Sequence, residues 1–533
     1  MTKPIFTIDV ETDPFEHGRD PAPFACGLYT GDDWTYAWGD NCIAEMHEKV
    51  LTYEPAILYA HNGGKFDFFY MMDWIANERE ILIINGRIVK ADAWRHARDK
   101  FHELRDSFAL MPFPLKQYKK DRIDYRCFER EYRNKHKRQI LKYLKADCVY
   151  LHEMVTEFHS RFGDNLTIAS TSMKQMKKLY TFECLTARED EMIRLPFYYG
   201  GRVQCFEKGI IKPSKGEKIQ SYDLNQCYPF AMRNFNHPIS SPDSRIGREI
   251  QDNTFFLTVY GRNYGAFPKR TKTGLVFNLE RDHYCVSIHE YIAAIETGMF
   301  ECEDICETYN FDQWTMFDKF VDKFHQLRRD AQLKGDDIGA LFYKYVGNSC
   351  YGKFAQHPDD YYSYMITDDQ TNLNPAHDPD GFVPCTIVGY AGYVLWKRPS
   401  HSSKRYNVAT GASITGAARS LLIRALAKAK RPLYCDTDSI VCERLEGVPI
   451  DATRIGHWKI EKSGNRMAIA GRKLYALFDG KECVKMASKG VHLTAQEIEH
   501  VAKGKTVTWK KDAPTFNFKT HSASYLSRTV RMT

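Results

Sequence analysis

The chain has 533 residues, with 75 Lys and Arg against 68 Asp and Glu and a formal net charge of +7. That length supports several domains with large buried cores, and the mild basicity tolerates a polyanionic partner without requiring one. The 15 cysteines show no Cys-x-x-Cys spacing, which reads as reduced thiols in a cytosolic protein and argues against a zinc or iron–sulfur module. The first residues enter a strand almost at once, so neither a signal peptide nor a transit peptide is expected. No apolar run approaches the length of a membrane span.

Ile5 to Asp13 alternates like a strand and places Asp9 and Glu11 on one face. A second strand, Ile57 to Asn62, runs through Gly63, Gly64 and Lys65 into a helix near Phe66 and Asp67. The Gly-Gly-Lys lacks the other spaced glycine and the Ser or Thr after lysine, so it is not a phosphate loop. A strong helix is predicted from Gln139 to Phe162, with Leu141, Leu144, Cys148, Leu151, Val155 and Phe158 as its buried stripe. Tyr143 and Asp147 lie one turn apart at the edge of that stripe. The four carboxylates Asp9, Glu11, Asp67 and Asp147 suffice to hold two metal ions for phosphodiester hydrolysis, with Tyr143 orienting the water.

Further along, Gly200 and Gly201 form a pair that permits close backbone approach or a sharp turn. A strand from Ile219 delivers Asp223, after which the chain turns toward a helix near Phe230. Residues 313–356 read as a helical pair punctuated at Lys334 and Gly335. Lys344, Asn348 and Tyr351 fall at i, i+4 and i+7 on one face of the second helix, combining a cation, an amide and an aromatic ring. Tyr434 to Val441 reads as a β-hairpin with carboxylates at its turn, and alternation puts Asp436 and Asp438 on one side. Hard oxygen ligands on so short a turn suit Mg²⁺. Arg472 to Tyr475 is a predicted strand with Lys473 and Tyr475 on one face.

The order Asp-x-Glu, Asn-x4-Asp, Tyr-x3-Asp resembles the three motifs of the 3′–5′ proofreading exonuclease of DNA polymerases. By that resemblance Asn62, Phe66, Ser107 and Phe108 contact the 3′ end of single-stranded DNA, and Lys120 assists catalysis. The Gly63-Gly64 pair makes the second motif one residue longer than usual. Tyr198-Tyr199-Gly200-Gly201 resembles the Tyr-x-Gly-Gly motif, in which Tyr198, Gly200 and Gly201 contact the template. Asp223-Leu224-Asn225-Gln226-Cys227-Tyr228-Pro229 is similar to motif A of family B polymerases, with Gln226 and Cys227 where Ser and Leu are usual. There Asp223 binds metal, Leu224 contacts the nucleotide, and the Tyr228 ring excludes a 2′-hydroxyl. Lys344, Asn348 and Tyr351 match motif B, the fingers helix, with Arg328 and Lys334 as further triphosphate contacts. The hairpin matches motif C, where Asp223 and Asp438 are the principal ligands of two metals and Asp436 supports them. Lys473 and Tyr475 resemble the Lys-x-Tyr motif that holds the primer, and Lys485 and Lys489 are expected on the DNA backbone.

The chain is thereby identified as a member of the family B DNA polymerases, most similar to the protein-primed enzymes of bacteriophages and linear plasmids. The resemblance implies an α/β multidomain fold: a ribonuclease H-like exonuclease domain over 1–165 and a right-hand polymerase domain. In the latter, palm covers 166–254 and 401–490, fingers 313–355 and thumb 491–533. Insertions at 255–312 and 356–400 stand where that branch has its two terminal protein regions, the first contacting the priming protein and the second encircling DNA. It further implies Mg²⁺ at both centres with Mn²⁺ as a substitute, and a DNA template-primer, dNTPs and a terminal protein as partners. A monomer in the host cytoplasm, with no membrane association, is expected. A dedicated nuclease would leave Asp223, Asp436 and Asp438 without work, whereas a primer-independent polymerase would share every motif.

Overall fold

A strand that is covered on both faces needs neighbours on both edges and layers above and below it. Ile5–Thr12 meets this demand, pairing antiparallel with Pro23–Tyr29 and parallel with Ile57–Ala60. The computed structural model describes residues 3–75, 79–96, 100–272, 274–357, 361–367, 381–387, 394–399 and 405–533. Around this strand grows a sheet of 10 strands. The helix Lys137–Phe162 packs on it, starting at Lys137 rather than the predicted Gln139. Three strands of the sheet come from far along the chain: Tyr362–Thr367, Val383–Ile387 and Val394–Pro399. Tyr362–Thr367 pairs with Glu80–Ile84, so the described strands of the second predicted insertion extend the first sheet. Tyr364, Ile366 and Leu395 enter the same core as Phe6, Ile8 and Val10. Residues 358–360, 368–380, 388–393 and 400 of the predicted insertion 356–400 fall outside the described residues.

The second sheet has 5 antiparallel strands, ordered Trp458–Gly464, Ile219–Leu224, Ser439–Leu445, Ala429–Asp436 and Val203–Cys205. Behind it lies the almost wholly buried helix Val408–Leu426. Its alanines at 409, 412, 417 and 418 admit neighbours on every side. The segment from Thr254 to Asn310 forms a sheet of Arg281–Ser287, Thr254–Asn263 and Phe300–Asn310 with the helix Ile288–Glu296. That helix starts in a reciprocal cap between Ser287 and Glu290 and packs on Val408–Leu426. The fingers segment folds as Asp318–Leu333 and Asp337–Asn348, turning at Gly335 with φ of +70°. The C-terminal hairpin returns to the first sheet: Phe516 packs 4.2 Å from Phe69, and His521 stacks on Phe69 at 4.4 Å. Among the described residues no helix is long and apolar enough to cross a membrane.

Buried imidazoles join the layers. His237 is fully buried; its Nε2 donates to the Ala231 carbonyl at 3.0 Å, leaving Nδ1 to accept from the Ser413 hydroxyl at 2.9 Å. Burial pushes His237 down to about 3, and His61 and His289 down to about 4. The unfolded chain therefore takes up protons below pH 6.5 that the folded chain refuses, and stability falls as the pH drops through this window. For His237 the slope is about 1.4 kcal/mol per pH unit until its folded value is reached. Buried acids titrate in the opposite sense, so the difference between the wild type and His237→Gln isolates the imidazole. The expected result is a smaller fall in melting temperature between pH 6.5 and 4 in the variant. Parallel acid limbs would show that His237 contributes nothing there.

Candidate active sites

The first acid cluster sits where the sheet meets the helix Lys137–Phe162. Asp9 and Glu11 come from the central strand, Asp67 from the short helix Asp67–Tyr70, and Asp147 from the long helix. Burial, then mutual repulsion, raises Asp9 well above the ordinary carboxylate range; Glu11 reaches about 8 and Asp67, chiefly through burial, about 7. Asp67 accepts from the Val10 N–H at 3.0 Å. Lys120 lies 3.1 Å from Asp147 and 5.3 Å from the centre of the Tyr143 ring. Asp147 Oδ1 is buried without a hydrogen-bond partner. Among the described residues no group of three or more His, Cys, Asp or Glu stands ready to hold a metal ion. The donor chemistry nevertheless suits a divalent cation: hard oxygens, crowded negative charge and an unsatisfied buried acceptor.

The loop beside this cluster is held by Asp106 and Arg87, to which the sequence reading assigned no role. Asp106 accepts the backbone N–H of Asn62 at 3.0 Å, of Gly64 at 3.1 Å and of Phe108 at 2.9 Å. Arg87 pairs with Asp106, donates to Asn62 Oδ1 at 2.9 Å, and lies 4.7 Å from the Phe108 ring. Glycine is required at 64, because a Cβ there would stand 1.9 Å from the Ile88 carbonyl. The extra glycine thus lets the loop pass over its neighbouring strand. Phe66 and Asn62 line a cavity of about 780 Å³ together with Asp9, His61, Lys65 and Phe516. Ser107 corrects the sequence reading. It is fully buried, donates to the Ala60 carbonyl and bonds to His61, so it braces the loop and cannot touch a strand. His61 lines the cavity in its stead.

The second cluster lies on the five-stranded sheet. The hairpin forms as predicted, but alternation does not run through it. Asp436 ends its strand, Thr437 takes φ of +59°, and the Asp438 N–H folds back to the Asp436 carbonyl at 2.7 Å. The two carboxylates consequently differ. Asp436 is bound by Lys473 at 2.5 Å and by the Tyr434 and Thr437 hydroxyls. Asp438 has no cationic partner among the described residues; burial and then Asp223 push it up to about 6. Asp223 is raised by burial and paired with Lys459 at 2.9 Å. Lys459 and the nearby Glu461 were not foreseen, because both enter across a strand pairing from more than two hundred positions away.

Near these acids lie two cations, Arg328 and Lys344, with no acid partner among the described residues. Gln226, Pro229, Arg328, Lys344 and Asn348 line one cleft. Burial lowers both Arg328 and Lys344, and Lys344 is lowered further by Arg328 and Lys459. The helix Cys227–Asn234 begins beside them from Gln226, whose φ is +51°. Tyr228 stacks on Tyr351 with centroids 4.0 Å apart and planes 6° apart. Tyr351 belongs to a separate short helix, Cys350–Phe354, since the fingers helix breaks at Ser349. Lys334 is not part of this group, lying exposed at the end of Asp318–Leu333. Leu224 is buried and its N–H donates to the Asp438 carbonyl at 2.8 Å, which ties the strand bearing Asp223 to the hairpin.

Lys473 sits in a turn with φ of +57°, ahead of the strand Leu474–Asp479, which corrects the predicted strand. Tyr475 is buried with its ring 4.8 Å from Tyr434. Lys485 is spent internally on Glu461 and Ser221, while Lys489 is exposed. Tyr198 is half-buried and Gly200 exposed. Gly201 abuts the catalytic hairpin, where a Cβ would stand 2.5 Å from Thr437 Oγ1.

Two acid centres, one beside the cavity lined by Asn62 and Phe66 and one near the cleft lined by Arg328 and Lys344, suit a nucleotidyltransferase with an attached nuclease. Residues 112–446 match the family DNA polymerase type B, organellar and viral, and the chain belongs to that family. The DNA-directed DNA polymerase of Enterobacteria phage PRD1 is 46% identical over 496 residues, covering 93% of this chain and 86% of its own. The DNA polymerase of Bacillus phage Nf is 25% identical over 545 residues, covering 89% and 87%. The solved structure of Phi29 DNA polymerase complexed with primer-template DNA and incoming nucleotide substrates shares the fold. Its TM-score is 0.74 over 100% of both chains at 18% identity. The chain is a DNA-directed DNA polymerase with an exonuclease domain, as its motifs implied.

Proposed function

We propose that this polymerase starts from a terminal protein, displaces the strand ahead of it, and corrects its product with the Asp9 centre. The observation that carries the polymerase chemistry is the pair of cations Arg328 and Lys344, with no acid partner among the described residues, close to Lys459 and the Asp223 carboxylate it binds. Such a group suits a triphosphate, whose charge offsets the repulsion among its members. The helix start at Gln226 adds backbone N–H groups. Tyr228, held against Tyr351, forms a flat floor under the sugar that selects deoxynucleotides. Asp223 and Asp438 are the residues to hold two divalent cations, Mg²⁺ or in its place Mn²⁺, and Asp436 with Lys473 steadies the turn. When bound, those cations lower the pKa of the primer hydroxyl and offset charge on the phosphates. In the other centre Asp9, Glu11, Asp67 and Asp147 have the same office, Tyr143 and Lys120 flank the scissile position, and Asn62, Phe66 and Phe108 receive the strand end. Tyr198, Gly200 and Gly201 contact the template; Lys473, Tyr475 and Lys489 hold the primer side. The segments 255–312 and 356–400 correspond to the regions for the priming protein and for encircling DNA. A monomer working in the host cytoplasm fits this reading.

The test is extension of a primed single-stranded circle with Mg²⁺ and four dNTPs and no accessory protein. Products longer than one circuit are expected. Extension that halts at the first duplex would overturn strand displacement, and primer digestion without extension would overturn the assignment of the Asp223 centre.

A further inference from the structure

Arg202 follows the paired glycines and is 3% exposed, yet it has no carboxylate partner among the described residues. Its Nε and Nη2 both reach Gln204 Oε1, at 3.0 and 2.5 Å, and Nη1 is buried without a hydrogen-bond partner. A buried guanidinium without an anion is costly unless something else holds it. Here the something is aromatic: Phe277 lies 4.2 Å from the guanidinium carbon and Phe206 5.6 Å. Phe277 belongs to the segment between Thr254 and Asn310, where its neighbour Asn278 is fixed through its carbonyl to Asn263 at 3.0 Å.

On its other side Arg202 touches the catalytic hairpin. Its carbonyl accepts the Thr437 N–H at 2.7 Å, the residue between Asp436 and Asp438. The same segment grips the loop twice more. Arg270 donates to the Tyr198 carbonyl at 2.9 Å. Glu290 binds the buried Arg419, which in turn donates to the Tyr199 and Gly200 carbonyls at 2.7 and 2.9 Å. Two direct attachments, and a third relayed through Arg419, therefore mount residues 198–202 on the insertion, and that loop braces the turn carrying Asp438.

We propose that Arg202, clamped by Phe277, is a positioning residue for nucleotide addition, through which the 255–312 segment sets the geometry of the Asp436–Asp438 turn. The proposal rests on the reading of that turn as catalytic. Neither Arg202 nor Phe277 touches substrate; the effect runs through the Thr437 backbone. Small displacements of a metal-bearing turn weaken catalysis without weakening substrate binding.

The test compares Phe277→Ala, Phe277→Tyr and Arg202→Gln with the wild type in Mg²⁺. Phe277 is half-buried and outside the core, and digestion measured on the same preparation reports whether its replacement leaves the fold intact. Single-nucleotide addition to a primed template is measured across dNTP concentration, and 3′–5′ digestion of a single strand on the same preparation. Phe277→Ala should add nucleotides about tenfold more slowly at saturating dNTP. Its KM for dNTP and its digestion rate should stay within about twofold, and Phe277→Tyr should restore the rate. Arg202→Gln should resemble Phe277→Ala. Unchanged addition in Phe277→Ala, or addition and digestion falling together, would overturn the proposal. Absence of addition in the wild type would instead overturn the assignment of the turn.

Discussion

Replacing Asp438 with asparagine should slow nucleotide addition on the order of 10³-fold or more while leaving 3′–5′ digestion within about twofold. The side chain keeps its volume and loses only its charge, so the effect reports charge at the reacting centre. Asp438 is singled out over Asp436 by their surroundings. Asp436 already has Lys473 and two hydroxyls around it, whereas Asp438 is half-buried, without a cationic partner among the described residues, and next to Asp223. Asp436→Asn should accordingly cost less, on the order of tenfold to a hundredfold, mostly through loss of the Lys473 contact. Single-turnover extension of a primed template measures both. Equal losses at the two positions would contradict the division of labour read from the turn.

The second large effect belongs to the other centre. The double variant Asp9→Asn with Glu11→Gln should lose 3′–5′ digestion by on the order of 10³-fold and keep nucleotide addition. A second readout needs no catalysis. The two carboxylates are buried against each other and against Asp67 and Asp147, so removing their charge relieves repulsion in the protein without divalent cation. In EDTA at pH 8 the double variant should therefore melt at a higher temperature than the wild type. Added Mg²⁺ should raise the melting temperature of the wild type more than that of the variant. Retained digestion would remove these residues from the nuclease, and a variant that melts lower in EDTA would contradict the burial of like charge.

How far the sequence could be read depended on how far apart the partners lie. The strand bearing Asp9 and Glu11, the helix bearing Tyr143 and Asp147, and the hairpin at Asp436 are local patterns with clear periods, and each folds where its pattern says. Alternation failed at Lys473 and Asp438 because positive φ interrupts it at Lys473 itself and at Thr437, and neither residue type signals such a conformation. Ser107 and Leu224 carry motif positions but spend their polar groups inside the protein, which only the packed structure reveals. Lys459, Arg87, Asp106 and His61 act at the sites through partners brought in from other strands, and no window of neighbouring residues contains that information.

The strand Glu80–Ile84 has its neighbour supplied by Tyr362–Thr367, and Ser363 is bonded to Glu80 across 283 positions. During synthesis at roughly 5–20 residues per second, that edge waits on the order of 15–60 s before its partner emerges from the ribosome. Until then Ile81 and Ile83, both buried in the finished sheet, lie on an open strand edge able to pair with another nascent chain. The N-terminal third expressed alone would keep that edge permanently. Self-association of such a fragment is thus built into the topology, and solubility should arrive only with the late strands.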